Sequence, residues 1–178
     1  MAHAAAWGVP IALNLAESQL KPSLPDRIFT HLQQHGLPPQ QLILEVTERI
    51  MLDETGLAVL HSLARRGHPL HLDDFGSGFS SLERITRLPL TAIKLGQGFV
   101  KNLGLTPQTD TIEARLLRAV RALGNGLGLQ VIVEGIETEA QRRFLMAEGF
   151  SLGQGYLLGR PAAVTSDKQV WFLQRGGR

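Results

Sequence analysis

The stretch LHLDDFGSGFSS at residues 70–81 joins a short strand pattern to a pair of acids and a glycine-rich turn. Residues 70–73 form a short, largely aliphatic run, which predicts a β-strand. Asp73 and Asp74 end this run, and the glycines that follow indicate that the chain turns there. The stretch therefore predicts a strand whose end carries two adjacent carboxylates.

Similar strand patterns recur on both sides of this stretch, separated by segments with apolar residues at helical spacing. In 112–123, for example, Ile112, Leu116, Leu117, Val120 and Leu123 form one stripe. Alternation of this kind is typical of a parallel sheet covered by helices. The sequence thus predicts an α/β fold, a partial TIM-like (β/α) barrel of about six β-α units. The predicted strands are 11–15, 42–47, 70–73, 92–95, 130–134 and 155–158.

Composition narrows the class of protein. The 178 residues include no cysteine, which excludes disulfides, thiolate metal sites and a cysteine nucleophile. A net charge of +2 does not favour a nucleic-acid polymer as partner. No apolar run is long enough for a membrane helix, and no signal peptide is recognisable, so we expect a cytoplasmic protein. We expect one domain over 1–174, incomplete at its N-terminus because complete barrels have about 250 residues, and a frayed tail at 175–178.

Each predicted strand ends at or near a polar or charged residue. In a (β/α) barrel these ends face one mouth, where active sites form, so we expect the side chains to converge. The residues are Asn14, Glu45, Asp73 with Asp74, Lys94, Glu134 and Gln154.

Most of these side chains offer oxygen atoms. Carboxylate and amide oxygens without clustered histidine or cysteine favour Mg²⁺ or Mn²⁺ over zinc. Several acids in one mouth repel one another unless cations neutralise them, and Lys94 supplies one fixed positive charge. This combination suits two-metal hydrolysis of a phosphate ester.

Structural explanations compete with this functional one. An acid or amide at a strand end is often a turn former or the N-cap of the next helix, and Lys94 could be a surface lysine. His71 and Asp73 share one face of their strand, so an H-x-D metal site is conceivable. Because no second such motif occurs, we interpret His71 as structural or incidental.

Six ordered motifs, spanning nearly the whole chain, resemble those of EAL-domain proteins, the cyclic-di-GMP phosphodiesterase family. The DDFGSGFSS run at 73–81 resembles the family's DDFG-x-G-[YF]-SS segment. The other motifs are LNL at 13–15, EVTE at 45–48, IKL at 93–95, EGIET at 134–138 and QGY at 154–156.

The resemblance implies a modified TIM barrel that uses Mg²⁺ or Mn²⁺ to cleave cyclic di-GMP to the linear dinucleotide pGpG. It implies one metal held by Asn14, Glu45 and Asp73. The second metal would be held by Asp73, Asp74 and Glu134.

The resemblance also assigns further roles. Lys94 and Glu134 would be catalytic, with Lys94 positioning or deprotonating the attacking water. Glu48 would brace the loop 74–81, which in the family links the metal site to the dimer interface. Gln154 and the turn containing Gly135, Ile136 and Glu137 would lie near the substrate.

The sequence also departs from the family pattern. The E-A-L strand with its metal-binding glutamate is absent, and residues 4–7 would be the remnant of the helix that follows it. Gly96 stands where the family has the Asp of K-I-D, and Gln97 with Gly98 replaces its usual Arg-Ser. Three hypotheses therefore stand: a phosphodiesterase, an inactive EAL domain that senses cyclic di-GMP or docks a partner, and a truncated gene fragment. The expected partners are cyclic di-GMP and either a second copy in a homodimer or a complementing N-terminal segment.

Overall fold

The computed structural model describes residues 9–48, 50, 52–76, 82–101, 103 and 111–161. Strands and helices alternate along these residues. The strands are β1 (Ile11–Asn14), β2 (Leu42–Thr47), β3 (Leu70–Phe75), β4 (Ala92–Leu95), β5 (Gln130–Val133) and β6 (Leu152–Gly153). The helices are α1 (Leu24–Gln34), α2 (Glu54–Arg65), α3 (Leu82–Arg87), α4 (Ile112–Leu127) and α5 (Glu139–Ala147).

The six strands form one parallel sheet in the order β1-β2-β3-β4-β5-β6. Each strand pairs with the next along the chain, so the sheet is a half-barrel, as the sequence predicts, and β1 and β6 are its edges. The register places Asn14 opposite Glu45, and Glu45 opposite His71. All strands point the same way, so their polar ends lie along one rim.

Alternation along the strands separates an apolar face from a polar face. Leu44 and Val46 on β2 and Leu70 and Leu72 on β3 belong to a hydrophobic cluster under the helices. Glu45, between Leu44 and Val46, therefore points to the concave side of the half-barrel. A second cluster joins β4, β5, α4 and α5 and includes fully buried Leu95, Leu117, Val133, Ile136 and Leu145.

The end of α4 fixes where β5 begins. The glycines at 124, 126 and 128 lie in its last turns, and Gly128 caps the helix with φ 69°, a left-handed conformation that glycine adopts without strain. A side chain at Gly124 would place its Cβ 2.3 Å from Val131 Cγ2. Glycine at 124 therefore allows the helix to lie directly against β5.

The buried face of α4 differs from the predicted one. The structure buries Ala114, Leu117 and Gly124, whereas Ile112 is 72% exposed and Leu116 49% exposed. The predicted stripe followed the largest apolar side chains. The helix instead packs through small residues, which rotates the buried face away from Ile112 and Leu116.

The last predicted strand, 155–158, is wrong. The sixth strand is Leu152–Gly153, paired with Ile132 and Val133 of β5. Leu158 N–H donates to the Gly155 carbonyl at 3.0 Å, and Leu157 N–H donates to the Ile136 carbonyl at 3.0 Å. Because β5 ends at Val133, no further ladder partner remains, and residues 155–158 form a turn over the loop after β5.

Several predictions fall outside the described residues: the helix remnant at 4–7, residues 77–81 of the turn, and the tail at 175–178. Among the residues that are described, no helix is both long enough and apolar enough to cross a membrane.

Candidate active site at the strand ends

Lys94 lies at the centre of an acidic cluster formed by three strands. Its Nζ is 2.8 Å from Glu134 Oε1, 2.9 Å from Asp73 Oδ1 and 3.1 Å from Glu45 Oε1. The lysine side chain is only 7% exposed, and the three carboxylates are 9% to 17% exposed. One buried cation therefore faces three carboxylates, and the local charge is net negative.

A break in the β3 ladder makes both adjacent aspartates available at the rim. The pairing with β4 shifts register between Leu72 and Phe75, and Asp74 has φ 54°. A left-handed non-glycine residue is uncommon, and aspartate is among the residues that tolerate it. Consequently Asp73, Asp74 and Glu134 each offer one oxygen within 4.8 Å of the others. These are the three residues expected to hold the second metal.

Asp73 Oδ1 is a buried oxygen with an incomplete set of partners. Lys94 Nζ lies 2.9 Å away, but no hydrogen bond of acceptable geometry reaches this oxygen. The ion pair with Lys94 offsets part of the desolvation cost of this oxygen, but without a directed donor the compensation is incomplete. A cation bound by Asp73 would remove this cost, so the donor set fits a metal ion.

The cluster raises the pKa values of Lys94 and Glu134, for different reasons. Burial alone would lower the pKa of Lys94, but its contacts with Glu134 and Asp73 and the charge of Glu45 outweigh burial and hold that pKa above its usual range. Burial raises the pKa of Glu134, and the Asp73 and Asp74 charges add to this, against the opposing effect of Lys94. Lys94 is therefore a fixed positive charge at neutral pH.

His71 lies beside this cluster. Its Nδ1 is 4.0 Å from Glu45 Oε1, and its side chain is 9% exposed. Burial, and then the charge of Lys94, lower the pKa of His71 to about 4. The imidazole is therefore neutral at pH 7 and keeps a lone pair.

An open cavity of about 570 Å³ adjoins the acidic cluster and shares Glu134 with it. Gln154 Nε2 donates to Glu134 Oε1 at 2.6 Å, and Gln97 Nε2 donates to Glu137 Oε1 at 3.1 Å. The remaining wall comes from residues absent from the predicted site, and only their position in or just after the QGY motif could have indicated them. They include Gly155, Tyr156, Gly159, Arg160 and Pro161.

Two contacts shape the cavity. The Arg160 guanidinium lies 4.7 Å from the centre of the Tyr156 ring, a cation–π arrangement. Gly135 has φ 71°, and a Cβ there would lie 2.5 Å from Gln97 Cγ. The loops after β4 and β5 are thus in direct contact, which positions Gln97 beside Glu137.

The remaining predicted residues differ in how they are placed. Asn14 is exposed at the end of β1, opposite Glu45. Ile136 was expected near the substrate, but its side chain is fully buried in the second hydrophobic cluster. Its backbone N–H donates to the Gln154 carbonyl at 3.1 Å. Ile136 therefore supports the loop from below and does not line the cavity.

Glu48 contacts the start of the glycine-rich turn. It is 4% exposed, and its Oε2 accepts a hydrogen bond from Gly76 N–H at 2.8 Å. This is a contact of the kind expected of a loop-bracing residue, although residues 77–81 lie outside the described part of the chain.

Gly96 leaves space beside Asp74. Its backbone has φ −61°, and a Cβ built there would lie 3.4 Å from Asp74 Oδ1. Any side chain at this position would therefore point toward the carboxylates, and glycine is not required by the backbone.

The chain matches the EAL domain family over residues 1–161, and it belongs to that family. MucR of Pseudomonas aeruginosa, a bifunctional diguanylate cyclase/cyclic di-GMP phosphodiesterase, is 40% identical over 154 residues, which cover 85% of this chain. The cyclic di-GMP phosphodiesterase RocR of the same species is 37% identical over 156 residues, or 86% of this chain. The cyclic di-GMP phosphodiesterase PdeR of Escherichia coli is 36% identical over 168 residues, or 91% of this chain.

Solved structures of EAL proteins are also similar to this chain. The EAL domain of Mycobacterium smegmatis DcpA has a TM-score of 0.81 at 31% identity, covering 90% of this chain and 73% of that one. The PaMucR phosphodiesterase in a c-di-GMP complex has a TM-score of 0.76 at 40% identity, covering 85% and 67%. The manganese/cy-diGMP complex of Klebsiella pneumoniae BlrP1 at pH 9.0 has a TM-score of 0.79 at 30% identity, covering 90% and 43%.

The chain spans only part of these relatives. The matched region is 22% of MucR, 24% of PdeR and 39% of RocR.

Proposed function

We propose that this chain binds cyclic di-GMP at the strand ends and hydrolyses one of its phosphodiester bonds with the help of divalent cations. Water adds to one phosphorus, the P–O3′ bond breaks, and the proton is transferred to O3′, which gives linear pGpG. The names of the relatives and the bound nucleotides of the solved neighbours support the choice of substrate.

The observation that carries the proposal is the contact of Lys94 with Glu45, Asp73 and Glu134. Three carboxylates that are only 9% to 17% exposed surround one ammonium and leave an excess of negative charge that further cations would balance. A structural ion pair needs one acid for each base. The surplus acids therefore favour a site built to receive cations.

Two groups of residues would hold the cations. Asp73, Asp74 and Glu134 would hold one, and their close oxygens support this assignment. Asn14, Glu45 and Asp73 would hold the other, with Lys94 now occupying the space between Glu45 and Asp73. Mg²⁺ and Mn²⁺ both suit such oxygen donors. Bound divalent cations would supply an activated water and polarise the phosphoryl oxygens.

Lys94 and Glu134 would act as the catalytic side chains. A lysine whose pKa is raised stays protonated, so it would orient the water and stabilise the developing negative charge but would not remove a proton. Gln154 holds the Glu134 carboxylate through its side-chain amide at 2.6 Å. Glu48 would keep the loop 74–81 in place through Gly76.

The cavity would take the nucleotide. It adjoins Glu134, so a ligand in it would place a phosphate at the acidic cluster. Glu137 and Gly135 line this cavity and would contact the substrate, and Ile136 would act only by supporting them. Tyr156 offers an aromatic face on which a purine base can stack.

A second function, binding without hydrolysis, is favoured by Gly96. The family resemblance implies an aspartate there, and the structure leaves that space beside Asp74 open. A chain with a weakened cation site could still bind cyclic di-GMP and act as a sensor or docking module.

The proposal includes a partner for the open half-barrel and treats residues 1–174 as the domain. β1 and β6 are edge strands, and Leu13 on β1 is 42% exposed. A segment that adds strands between these edges, or a second copy of the chain, would cover them. The proposed cytoplasmic location rests only on the proposed substrate, which is a bacterial second messenger.

The test is incubation of the full chain with cyclic di-GMP and either Mg²⁺ or Mn²⁺, with chromatographic separation of products. We expect pGpG, and we expect chelation of the cation to abolish it. Calorimetric titration with Ca²⁺ present separates the two functions. Binding without any pGpG would support the sensor, and neither binding nor product would reject both.

A further inference from the structure

His71 stands in the same row of the sheet as two residues expected to bind metal. The register pairs Asn14 with Glu45 and Glu45 with His71 on three neighbouring strands. Strands in a sheet lie about 4.8 Å apart, and side chains paired in this way leave the same face at the same height. Asp73, two residues further along β3, points to that face as well. The imidazole therefore leaves the sheet on the same face and in the same row as Asn14 and Glu45.

The environment of His71 is unusual for a structural histidine. Its side chain is only 9% exposed, and its ring forms no hydrogen bond with the described residues. A buried structural histidine normally has such a bond. His68 is an example, because it is 3% exposed and its Nδ1 lies 3.2 Å from the Leu42 carbonyl.

The two carboxylates on this face share one cation, because Lys94 Nζ is 3.1 Å from Glu45 Oε1 and 2.9 Å from Asp73 Oδ1. His71 Nδ1 is 4.0 Å from Glu45 Oε1, a separation too long for a hydrogen bond. Asp73 Oδ1, on the same strand, is buried and lacks a directed donor. A ring nitrogen that has no hydrogen bond among the described residues and a buried carboxylate oxygen therefore lie on the same face of one strand.

We propose that His71 is a nitrogen ligand in the cation site of Asn14, Glu45 and Asp73, which makes that site selective for first-row transition metals such as Mn²⁺ or Co²⁺ over Mg²⁺. The inference rests on the proposed function, which places a cation there. Imidazole favours transition metals, whereas Mg²⁺ favours an all-oxygen set and keeps several of its waters. This proposal would replace the interpretation of His71 as structural or incidental.

The test is pulsed electron paramagnetic resonance of Mn²⁺ bound to the full chain. A coordinated imidazole gives a nitrogen modulation in the Mn²⁺ signal. We expect this modulation in the wild type, and we expect labelling the histidines with ¹⁵N to change its frequency. The labelling arm needs no substitution, so it holds even if a variant fails to fold.

The variant His71→Gln tests the assignment to this residue. We expect it to lose the nitrogen modulation and to lower the Mn²⁺ affinity relative to that for Mg²⁺ about tenfold or more. His31→Gln is the matched control, because His31 is exposed on α1, and it should change neither quantity.

The outcomes separate the inference from the proposed function. Mn²⁺-dependent pGpG production without a histidine modulation would overturn the inference and leave the function standing. A modulation lost in His71→Gln without any pGpG would do the reverse. Absence of bound Mn²⁺, or a modulation that persists in His71→Gln, would also overturn the inference.

Discussion

The Lys94 ammonium, on β4, lies 2.8 Å from the carboxylate of Glu134, the residue that follows β5. Glu45 and Asp73 share the same ammonium. The charge of Lys94 therefore stabilises an acidic cluster that would otherwise repel itself. This relationship leads to the first prediction.

Lys94→Met should destabilise the cation-free protein at pH 7. Removing one partner of a buried ion pair typically costs about 3–5 kcal/mol, because the remaining charges are left unpaired. The loss should shrink on adding Mn²⁺, since the ion replaces the lost positive charge, whereas pGpG production should not return. Urea unfolding measures the change, and Lys101→Met, at an exposed lysine, is the control. Equal stability of Lys94→Met and the wild type without cations would contradict this account of the cluster.

Glu134→Gln should weaken Mn²⁺ binding at least about tenfold, because a neutral amide replaces one of the three close carboxylates. Calorimetric titration measures the affinity. Glu139→Gln is the control, since Glu139 is exposed and pairs with Arg142 at 2.7 Å. Unchanged affinity in Glu134→Gln would mean that the cation binds elsewhere.

Gly96→Asp should tighten cation binding and raise the rate of hydrolysis. The new side chain would start 3.4 Å from Asp74 Oδ1, and the backbone φ of −61° accepts aspartate. Without cations the extra like charge should lower the free energy of unfolding. Gly98→Asp is the matched control, because a Cβ at Gly98 meets nothing within 4 Å. If both variants behave alike, the space beside Asp74 has no role in cation binding.

Acidification should destabilise the protein partly through His71. Its pKa is about 4 in the folded chain against an ordinary 6.5, so between these values the unfolded chain binds a proton that the folded chain does not. The free energy of unfolding therefore falls as the pH drops through this window, by at most about 3 kcal/mol. His68, whose pKa burial also lowers, contributes in the same direction.

Urea unfolding of the cation-free chain between pH 7 and pH 4.5 measures this slope. His71→Gln should show a shallower loss of stability than the wild type, and His31→Gln should not. The raised pKa of Glu134 acts in the opposite direction in both proteins, so the comparison isolates His71. Parallel pH profiles for the wild type and His71→Gln would contradict the prediction.

Local sequence patterns predicted the first five strands and the acidic rim because aliphatic runs and polar strand ends are local features. β6 is different, since a strand of two residues is defined only by its pairing with β5. The buried face of α4 depends on the small residues Ala114 and Gly124, which hydrophobic periodicity undervalues.

The candidate site shows the same division between local and tertiary information. The carboxylates were predicted from their places at strand ends, but the simultaneous contacts of Lys94 depend on the curvature of the sheet. Arg160 reaches Tyr156 through the turn that replaces the predicted strand. His71 lies opposite Glu45 because of the pairing register between β2 and β3, and the sequence motifs do not specify that register.

Hydrolysis in water enriched in ¹⁸O tests the central claim most directly. The full chain, in excess over cyclic di-GMP and supplied with Mn²⁺, should give pGpG with one heavy oxygen in its terminal phosphate, detected by mass spectrometry. Glu134→Gln under the same conditions should leave the cyclic nucleotide unchanged. Cyclic di-GMP that remains intact with the wild-type chain, while Mn²⁺ is demonstrably bound, would contradict the claim that this acidic cluster catalyses hydrolysis.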